Sequence, residues 1–276
     1  MDITYNEIEF SIMSLKDFDD KPLARKVFEA IAEAGGIYFP SVYDCYEPLR
    51  RKCSLQDIDT LASFWVNEEF AADTAQKHQY AVGQMLMERR RKPRVSYQMY
   101  WEKSQRPRFN YFIFRMDADY LKEPKHLQRY LSLCARLIAL LEPVQGEIVN
   151  CSFPGWAEPI DLQVRHPELH WMNFFGKPYI ELFGSEKLLT APCYRVEAVA
   201  NDVIALQLSE CPFSPIPSDT RLAVKDYLNP NAFVEEGKSY RNYKTGITPE
   251  FDFSNVLFDK NSPPAPPQIR MQGTKE

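Results

Sequence analysis

The segment His166-Pro-Glu-Leu-His170 is the first candidate for chemistry, because it places two imidazoles and a carboxylate within five residues. Zinc proteases need H-E-x-x-H on a helix, so that both histidines face the metal and the glutamate acts as the base. Here Pro167 follows the first histidine, the glutamate is displaced, and no third ligand is evident in the sequence. We therefore expect no metal site.

Nucleophilic catalysis has equally little support. There is no G-x-S-x-G turn, and the six cysteines are scattered without a C-x-x-C pair, which favours free thiols. Gly176 and Gly184 lack the G-x-G-x-x-G spacing of a dinucleotide site. We expect no catalytic residue and no cofactor. The enzyme alternative is a Cys/His site that the fold assembles from residues such as Cys151, His166 and His170.

Charge is distributed unevenly behind the formal net charge of −5. Residues 1–80 carry 8 bases and 15 acids, residues 81–130 carry 12 and 5, and residues 131–276 carry 13 and 18. The basic run at 89–92 is interpreted as the last turn of a helix that ends before Pro93, where basic side chains complement the helix dipole. Since an acidic protein repels nucleic acid, we expect no nucleic-acid partner and favour a basic protein partner.

Apolar periodicity predicts the elements that must position these side chains. Apolar residues at spacings of three and four, bounded by capping residues, Pro or Gly, predict helices. These cover 21–34, 55–70, about 73–91, 124–141, 179–183, 185–189 and 218–228. Alternating apolar residues predict strands. These cover 3–13, 95–101, 109–115, 146–151, 168–174, 194–198 and 203–208, with an edge strand or extended loop at 37–46.

The order of these elements predicts an α+β fold, with mixed or antiparallel sheets and helices packed on one face. Residues 1–258 form either a single domain or two intimately packed halves divided near 152–159, and the Pro-rich residues 259–276 form a flexible tail. Aromatic residues on alternating strand positions are interpreted as core or cross-strand pairs. They include Tyr97, Tyr111 and Phe112. With no long apolar stretch and an acidic start, we expect a cytoplasmic protein without membrane contact.

The segment 170–189 carries the pattern W-x-N-[FY]-[FL]-G-x-x-[YVL], followed by a leucine-rich helix around a glycine. The matching positions are Trp171, Asn173, Phe174, Gly176, Tyr179, Gly184 and Leu188. In this pattern the chain resembles immunity proteins of bacterial polymorphic-toxin and type VI secretion systems, and most closely the immunity protein 52 family. The resemblance is specific over residues 165–212, and residues 249–254 resemble the C-terminal region of the family.

The resemblance implies a non-catalytic α+β protein that binds a cognate toxin and blocks it by direct occlusion. The toxins of this family are predicted to have a restriction-endonuclease-like fold, which implies a nuclease as the partner. The motif is interpreted as structural, with the Asn173 amide satisfying buried backbone groups beside the turn into a helix. This structural group comprises Trp171, Asn173, Gly176, Tyr179 and Gly184.

A nuclease holds its polyanionic substrate in a basic cleft, so an acidic inhibitor surface can occupy that cleft. The candidate toxin-binding residues are acidic, with aromatic neighbours typical of binding hot spots. They are Asp17, Asp19, Asp20, Tyr43, Asp44, Tyr46, Glu47, Glu68, Glu69 and Asp73. The alternatives are the Cys/His enzyme above and an adaptor in secretion. A homo-oligomer paired through a sheet edge at residues 3–13 is a further hypothesis.

Overall fold

The computed structural model describes residues 6–67, 69–73, 78–105, 108–153, 161–235 and 245–258, with the backbone alone for those between 69 and 80. The predicted tail at 259–276 lies outside the described residues, as does most of the predicted boundary at 152–159. Among the described residues, no helix combines the length and the apolar character needed to cross a bilayer.

A single sheet of eleven strands organises the described chain. The strands are β1 (Glu7–Ser14), β2 (Val42–Asp44), β3 (Arg51–Lys52), β4 (Glu69–Asp73), β5 (His78–Arg89), β6 (Val95–Ser104), β7 (Asn110–Asp117), β8 (Pro143–Asn150), β9 (Met172–Gly176), β10 (Arg195–Ala200) and β11 (Val203–Gln207). The helices are α1 (Lys21–Ala34), α2 (Ile58–Trp65), α3 (Ala118–Leu121), α4 (Pro124–Leu141), α5 (Lys177–Phe183), α6 (Ser185–Leu189) and α7 (Ser218–Leu228).

The strand order is β10-β11-β9-β8-β1-β7-β6-β5-β2-β3, and β4 pairs with the same side of β5 as β2 does. Every strand pair in this sheet is antiparallel. Hairpins join β5 to β6 and β6 to β7, whereas β1 reaches its neighbours from a distant part of the chain. The predicted α+β class is confirmed.

The first core lies between one face of β1, β5, β6 and β7 and the helices α1, α2 and α4. Buried and half-buried side chains alternate along β6 and β7, because successive side chains in a strand point to opposite faces. Trp65 of α2 stacks on Phe112 with ring centroids 6.1 Å apart, and Tyr130 of α4 lies 4.8 Å from Phe114. Tyr97 and Phe112 are buried in this core, as predicted.

A second core lies on the opposite face at the other end of the sheet. Phe174 belongs to the first core and its neighbour Phe175 to the second, so β9 is covered on both sides. The helices α5, α6 and α7 pack on this second face of β9 and β11. The predicted packing of helices on one face of the sheet therefore holds for β5, β6 and β7, while β9 and β11 are buried on both faces.

The ends of the predicted helices 21–34 and 124–141 agree with the structure, since each helix has Pro in its first turn. Gly35 ends α1 with φ of 118°, in the region that favours glycine. The predicted helix 55–70 is shorter than expected. A capping box between Ser54 and Asp57 starts a 3-10 turn at Leu55–Asp57, and α2 then ends at Trp65.

The helix predicted at about 73–91 is wrong, because Asp73 ends β4 and residues 78–89 form β5. Ala, Met, Leu, Gln and Glu give the stretch a helical composition, but from Ala81 to Glu88 its side chains alternate between buried and half-buried. A ladder of ten residue pairs with β6 overrides the helical preference. The basic run at 89–92 consequently lies at the β5–β6 turn and does not end a helix. The strand predicted from 168 also begins later, at Met172.

The predicted pairing of residues 3–13 at a sheet edge is also wrong. β1 lies in the middle of the sheet, with β7 on one side and β8 on the other. Its backbone groups are therefore used within the chain, and they are not available to a second copy. The ends of the strand path are β10 and β3.

Gly83 of β5 lies where the sheet packs closely against α2. A Cβ atom at this position would stand 2.1 Å from Nε1 of Trp101, and the same Nε1 donates a hydrogen bond of 3.0 Å to the Trp65 carbonyl. The indole cannot move away without losing that bond, so we expect Gly83→Ala to lower the free energy of unfolding by about 2–3 kcal/mol.

Urea unfolding followed by tryptophan fluorescence measures this loss. Gly36→Ala is the matched control, because a Cβ atom there meets nothing within 4 Å, and its effect should stay below about 0.5 kcal/mol. Equal unfolding midpoints for the two variants would contradict the described packing.

Candidate functional site

Asn173 holds the predicted motif together through its side-chain amide. It is fully buried on β9, and its Oδ1 accepts a hydrogen bond of 2.8 Å from the His170 backbone N–H. Its Nδ2 donates to the His170 carbonyl at 2.9 Å and is within 3.4 Å of the Leu206 carbonyl on β11. The amide thus pairs the backbone N–H and carbonyl of His170, which precedes β9 and lies outside its ladder.

The other motif residues also have contacts within the chain. Trp171 is buried, and its Nε1 donates to the Ser209 carbonyl at 2.8 Å. A Cβ atom at Gly176 would stand 2.0 Å from the Pro143 carbonyl oxygen, so the close approach of β9 to β8 requires glycine there. Tyr179 is buried in the second core, and Gly184, with φ of 87°, separates α5 from α6.

A buried ion pair fastens α7 to the segment before β9. Lys225 and Glu168 form a salt bridge, with their side chains only 6% and 4% exposed. Lys225 Nζ also donates to the Val234 carbonyl at 2.8 Å, and Glu168 Oε1 accepts from the Leu169 N–H at 2.8 Å. These additional hydrogen bonds offset part of the cost of removing both charges from water.

Glu147 of β8 and His170 form a second buried polar pair, with Oε2 and Nε2 separated by 3.8 Å. Burial raises the pKa of Glu147 to about 8, and the negative charge of Glu9 raises it further in the same direction. Burial also lowers the pKa of His170 to about 4, against the opposing pull of Glu168. Both groups are consequently neutral at pH 7.

His166 and Cys151, the other members of the hypothetical enzyme site, are also unsuited to activation. Burial lowers the pKa of His166 to about 3, and its ring lies among Phe175, Tyr179 and Phe233. Burial raises the pKa of the Cys151 thiol to about 12, which keeps it protonated at neutral pH. All six cysteines are free thiols. The described residues contain no group of three or more His, Cys, Asp or Glu side chains that could hold a metal ion.

The first set of predicted toxin-binding acids is partly neutralised within the chain. Lys103 Nζ lies 3.1 Å from a carboxylate oxygen of Asp17 and 2.9 Å from one of Asp19. Asp17 also accepts a hydrogen bond from the Asp19 N–H at 3.0 Å. Asp20 precedes α1 without a side-chain capping bond. Asp17 and Asp19 therefore brace the segment before α1 against β6.

The second set lies around the β2–β3 loop at the edge of the sheet. Tyr43 is buried, with its ring centroid 4.9 Å from that of Phe64, so it is not a surface anchor. Asp44 caps the loop by accepting a hydrogen bond of 3.0 Å from the Cys45 N–H. Tyr46 is 58% exposed, and Glu47 beside it is also exposed.

The third set cannot be assigned to a surface. Glu68 lies outside the described residues, and Glu69 and Asp73 are placed on β4 by their backbone alone. β4 and β2 both pair along the outer side of β5, which brings the second and third sets to the same sheet edge. Asp17 and Asp19 are held instead by ion pairs with Lys103 of β6.

The sequence analysis missed the half-buried face of the sheet opposite the first core. We call this surface the open face, and it is formed by alternate residues of four adjacent strands. The open face comprises Glu9, Ser11 and Met13 of β1, Val82, Gln84, Leu86 and Glu88 of β5, Ser96, Gln98, Tyr100 and Glu102 of β6, and Tyr111, Ile113 and Arg115 of β7. In the described part of the chain, α1, α2 and α4 pack on the other side of these strands, and α5 to α7 pack on β9 and β11. One end of the open face is covered, because Met13 packs against a third core cluster formed by Leu15, Val144, Leu162 and Val256.

Strand register arranges the open face in rows that run across the sheet. Leu86, Gln98, Ile113 and Ser11 form one row, and Gln84, Tyr100, Tyr111 and Met13 form the next. The two tyrosine rings stack with centroids 5.2 Å apart and planes 12° apart. Gln84 Nε2 donates to the Cys45 carbonyl at 2.9 Å, so the β2–β3 loop borders this surface. Tyr111, interpreted as a core or cross-strand pair residue, is half-buried on the open face and pairs across the strands with Tyr100.

Polar groups also fix the ends of the open face. Arg115 is 28% exposed and forms a salt bridge with the buried Glu9 on the neighbouring strand. Tyr100 donates a hydrogen bond of 2.7 Å to Glu102, and Gln98 Nε2 donates one of 3.0 Å to the Tyr111 hydroxyl. The period of two in β6 and β7 was visible in the sequence, but the side facing away from the core was not recognised as a separate surface.

The fold has a known counterpart. A Pseudomonas aeruginosa T6SS protein, PA0821, superposes with a TM-score of 0.53 over 93% of this chain and 83% of its own, at 11% sequence identity. At this identity the likeness shows a common fold. No protein-family model matches the chain, and no curated protein matches it. The resemblance to the immunity protein 52 family therefore depends on the motif residues alone.

The buried carboxyl group of Glu147 should make the free energy of unfolding depend on pH. Its pKa is raised to about 8 in the folded chain from an ordinary value of 4.5. Between these two pH values the folded chain keeps a proton on Glu147 that the unfolded chain has released. The contribution of Glu147 to the free energy of unfolding is therefore fully present below pH 4.5 and is lost as the pH rises to 8. Glu147→Gln removes this titration, so we expect the variant to gain about 1 kcal/mol or more relative to the parent between pH 5 and pH 8.5.

Urea unfolding of the parent and the variant at both pH values measures the gain. His166 and His170 are present in both proteins, so their effect on stability cancels in the comparison. Their lowered pKa values act in the opposite sense, since they reduce stability as the pH falls below 6.5. Glu181→Gln is the matched control, because Glu181 is 64% exposed on α5. A constant difference between Glu147→Gln and the parent across this pH range would argue against a neutral buried carboxyl.

Proposed function

We propose that this chain is an immunity protein that binds a cognate secreted toxin in the cytoplasm and neutralises it by direct occlusion. The observation that carries the proposal is a fold shared with a T6SS protein over 93% of the chain. The motif resemblance to type VI and polymorphic-toxin immunity proteins supports the same setting. The motif is a likeness of sequence over a short segment, whereas the shared fold extends over nearly the whole chain.

The chemistry of the described side chains favours binding over catalysis. Cys151 is held as a thiol, His166 is enclosed by aromatic rings, and the Glu147–His170 pair is neutral and buried at pH 7. A general base or a nucleophile needs access to its substrate and a pKa near the working pH. These groups instead lie buried or half-buried near the junction between the central strands and the second core.

We further propose that the toxin is of the nuclease type. Residues 1–80 carry a net charge of −7 (8 bases minus 15 acids), residues 81–130 carry +7 (12 minus 5) and residues 131–276 carry −5 (13 minus 18), which leaves the whole chain at −5. A nuclease has a basic cleft for its polyanionic substrate, and an acidic protein is attracted to that cleft over several ångströms before contact. This attraction favours rapid association, which an inhibitor of an incoming toxin requires.

Co-expression with the toxin encoded by a neighbouring gene tests the proposal. We expect the chain to restore growth, to bind the purified toxin at nanomolar affinity in calorimetry, and to abolish nuclease activity at a 1:1 ratio. An unrelated protein of similar acidity is the control, because charge alone must not inhibit. Growth arrest in the presence of the folded chain, with no detectable complex, would contradict the proposal.

A further inference from the structure

The strand β10 forms one end of the sheet and has a free outer side. On its inner side it pairs with β11, and in the described part of the chain no backbone group hydrogen-bonds to its outer side. The other end of the strand path, β3, has two residues, whereas β10 has six. Free N–H and C=O groups on an edge strand can pair with a strand from another chain. Of the two ends, β10 therefore offers the longer edge for such pairing.

The charges of β10 are of opposite sign and stand two residues apart. Arg195 and Glu197 form a salt bridge of 2.6 Å, with their side chains 61% and 37% exposed. Both lie on the same face of the sheet, because side chains alternate along a strand. Charged side chains on an edge ordinarily prevent pairing between copies, because like charges then face each other. β10 has no net charge, so the outcome depends on the register of the two copies.

A two-fold axis through Val196 makes β10 complementary to itself. In this antiparallel register Arg195 of one copy faces Glu197 of the other, and the same pair recurs on the opposite side of the axis. Moving the axis to Arg195 or to Glu197 would place a residue opposite its own copy, and like charges directly opposite each other are destabilising. Charge complementarity therefore selects the axis through Val196.

Four charges alternate around this axis. Each Arg195 keeps Glu197 of its own strand as a neighbour and gains Glu197 of the second copy across the ladder, with about 5 Å between the two Cβ atoms. The salt bridge within each chain is therefore extended and not broken. An exposed ion pair alone contributes little to stability, but here the charges add to the backbone hydrogen bonds of a new ladder.

The other face of this strand pair is apolar. Tyr194, which is 56% exposed, would lie opposite Ala198 of the second copy, and Val196 would meet its own copy at the axis. Leu189, 49% exposed, ends the helix α6, which packs beside β10. The register between β10 and β11 shifts only after Ala198, so the part of β10 around Val196 is regular.

We infer that the chain forms a symmetric homodimer in which β10 pairs antiparallel with β10 of a second copy, about a two-fold axis through Val196. The pairing joins two eleven-stranded sheets edge to edge. It goes beyond the proposed function, because it needs no toxin. It also assigns the contact between copies to β10, since the predicted edge at residues 3–13 lies in the middle of the sheet.

Charge reversal at the two positions tests the interface and its register. Light scattering of the purified chain over a range of concentrations measures the dissociation constant, and we expect the parent to have the mass of two chains. Glu197→Arg places two positive charges opposite each other, and Arg195→Glu places two negative ones. We expect each variant to raise the dissociation constant by about 100-fold or more.

Mixing the two single variants restores the pairing, because unlike charges face each other again in a heterodimer. We expect the mixture to bind within about threefold of the parent or more tightly. Glu197→Arg changes the net charge from −5 to −3, and Arg195→Glu changes it to −7, so both variants stay negative. Attraction between the whole molecules cannot account for the recovery.

Asp119→Arg is the matched control, since it reverses the acid of another exposed ion pair. Asp119 is 68% exposed and pairs with Lys122 on α3, which packs beside β1, four strands from β10. This variant should dimerise like the parent, and urea unfolding midpoints show that each variant is folded. A parent with the mass of one chain at every concentration would overturn the inference. So would a dimer that neither reversal weakens, or one that mixing the two reversals does not restore.

Discussion

The position of β1 in the middle of the sheet is the constraint on which the rest of the structure depends. Both of its sides are hydrogen-bonded, to β7 and to β8, so its alternate residues must serve two different environments. Ile8, Phe10 and Ile12 enter the first core, and their neighbours face the other way. A one-residue slip would bury Glu9 and Ser11 under the helices, and therefore the apolar pattern fixes the register.

The face of the sheet opposite the first core changes from half-exposed to buried between β1 and β9. At β9 and β11 the second core covers it, and the Asn173 amide and the Lys225–Glu168 pair satisfy the polar groups buried there. At β5, β6 and β7 it stays half-exposed. The neutral Glu147–His170 pair lies near this transition, next to Glu9 on β1. A polar layer of this kind divides the covered part of the face from the open part.

Much of the fold could be predicted from the sequence, because its signals are local. Pro in the first turn and an apolar stripe define α1 and α4, and alternation defines β6 and β7. β5 was mistaken for a helix because its Met, Leu, Gln and Glu residues have helical propensity, and its ten-pair ladder with β6 is a tertiary effect. The central place of β1 depends on pairing with residues about a hundred or more positions away, which no local pattern encodes.

The candidate site was harder to predict for the same reason. The interpretation of Asn173 as a partner of buried backbone groups relied on one residue and a nearby turn, and the structure shows such contacts. The acids at 17–20 seemed free in the sequence because Lys103, their partner, lies far along the chain. The open face is assembled from four strands, and only their register reveals its uncharged centre.

Light scattering of the purified chain mixed with the toxin tests most directly whether the chain binds and silences it. We predict a single complex that contains the two proteins in equal numbers and in which the toxin is inactive. Separate scattering masses for the two proteins, with the toxin still active beside the folded chain, would contradict the proposed function.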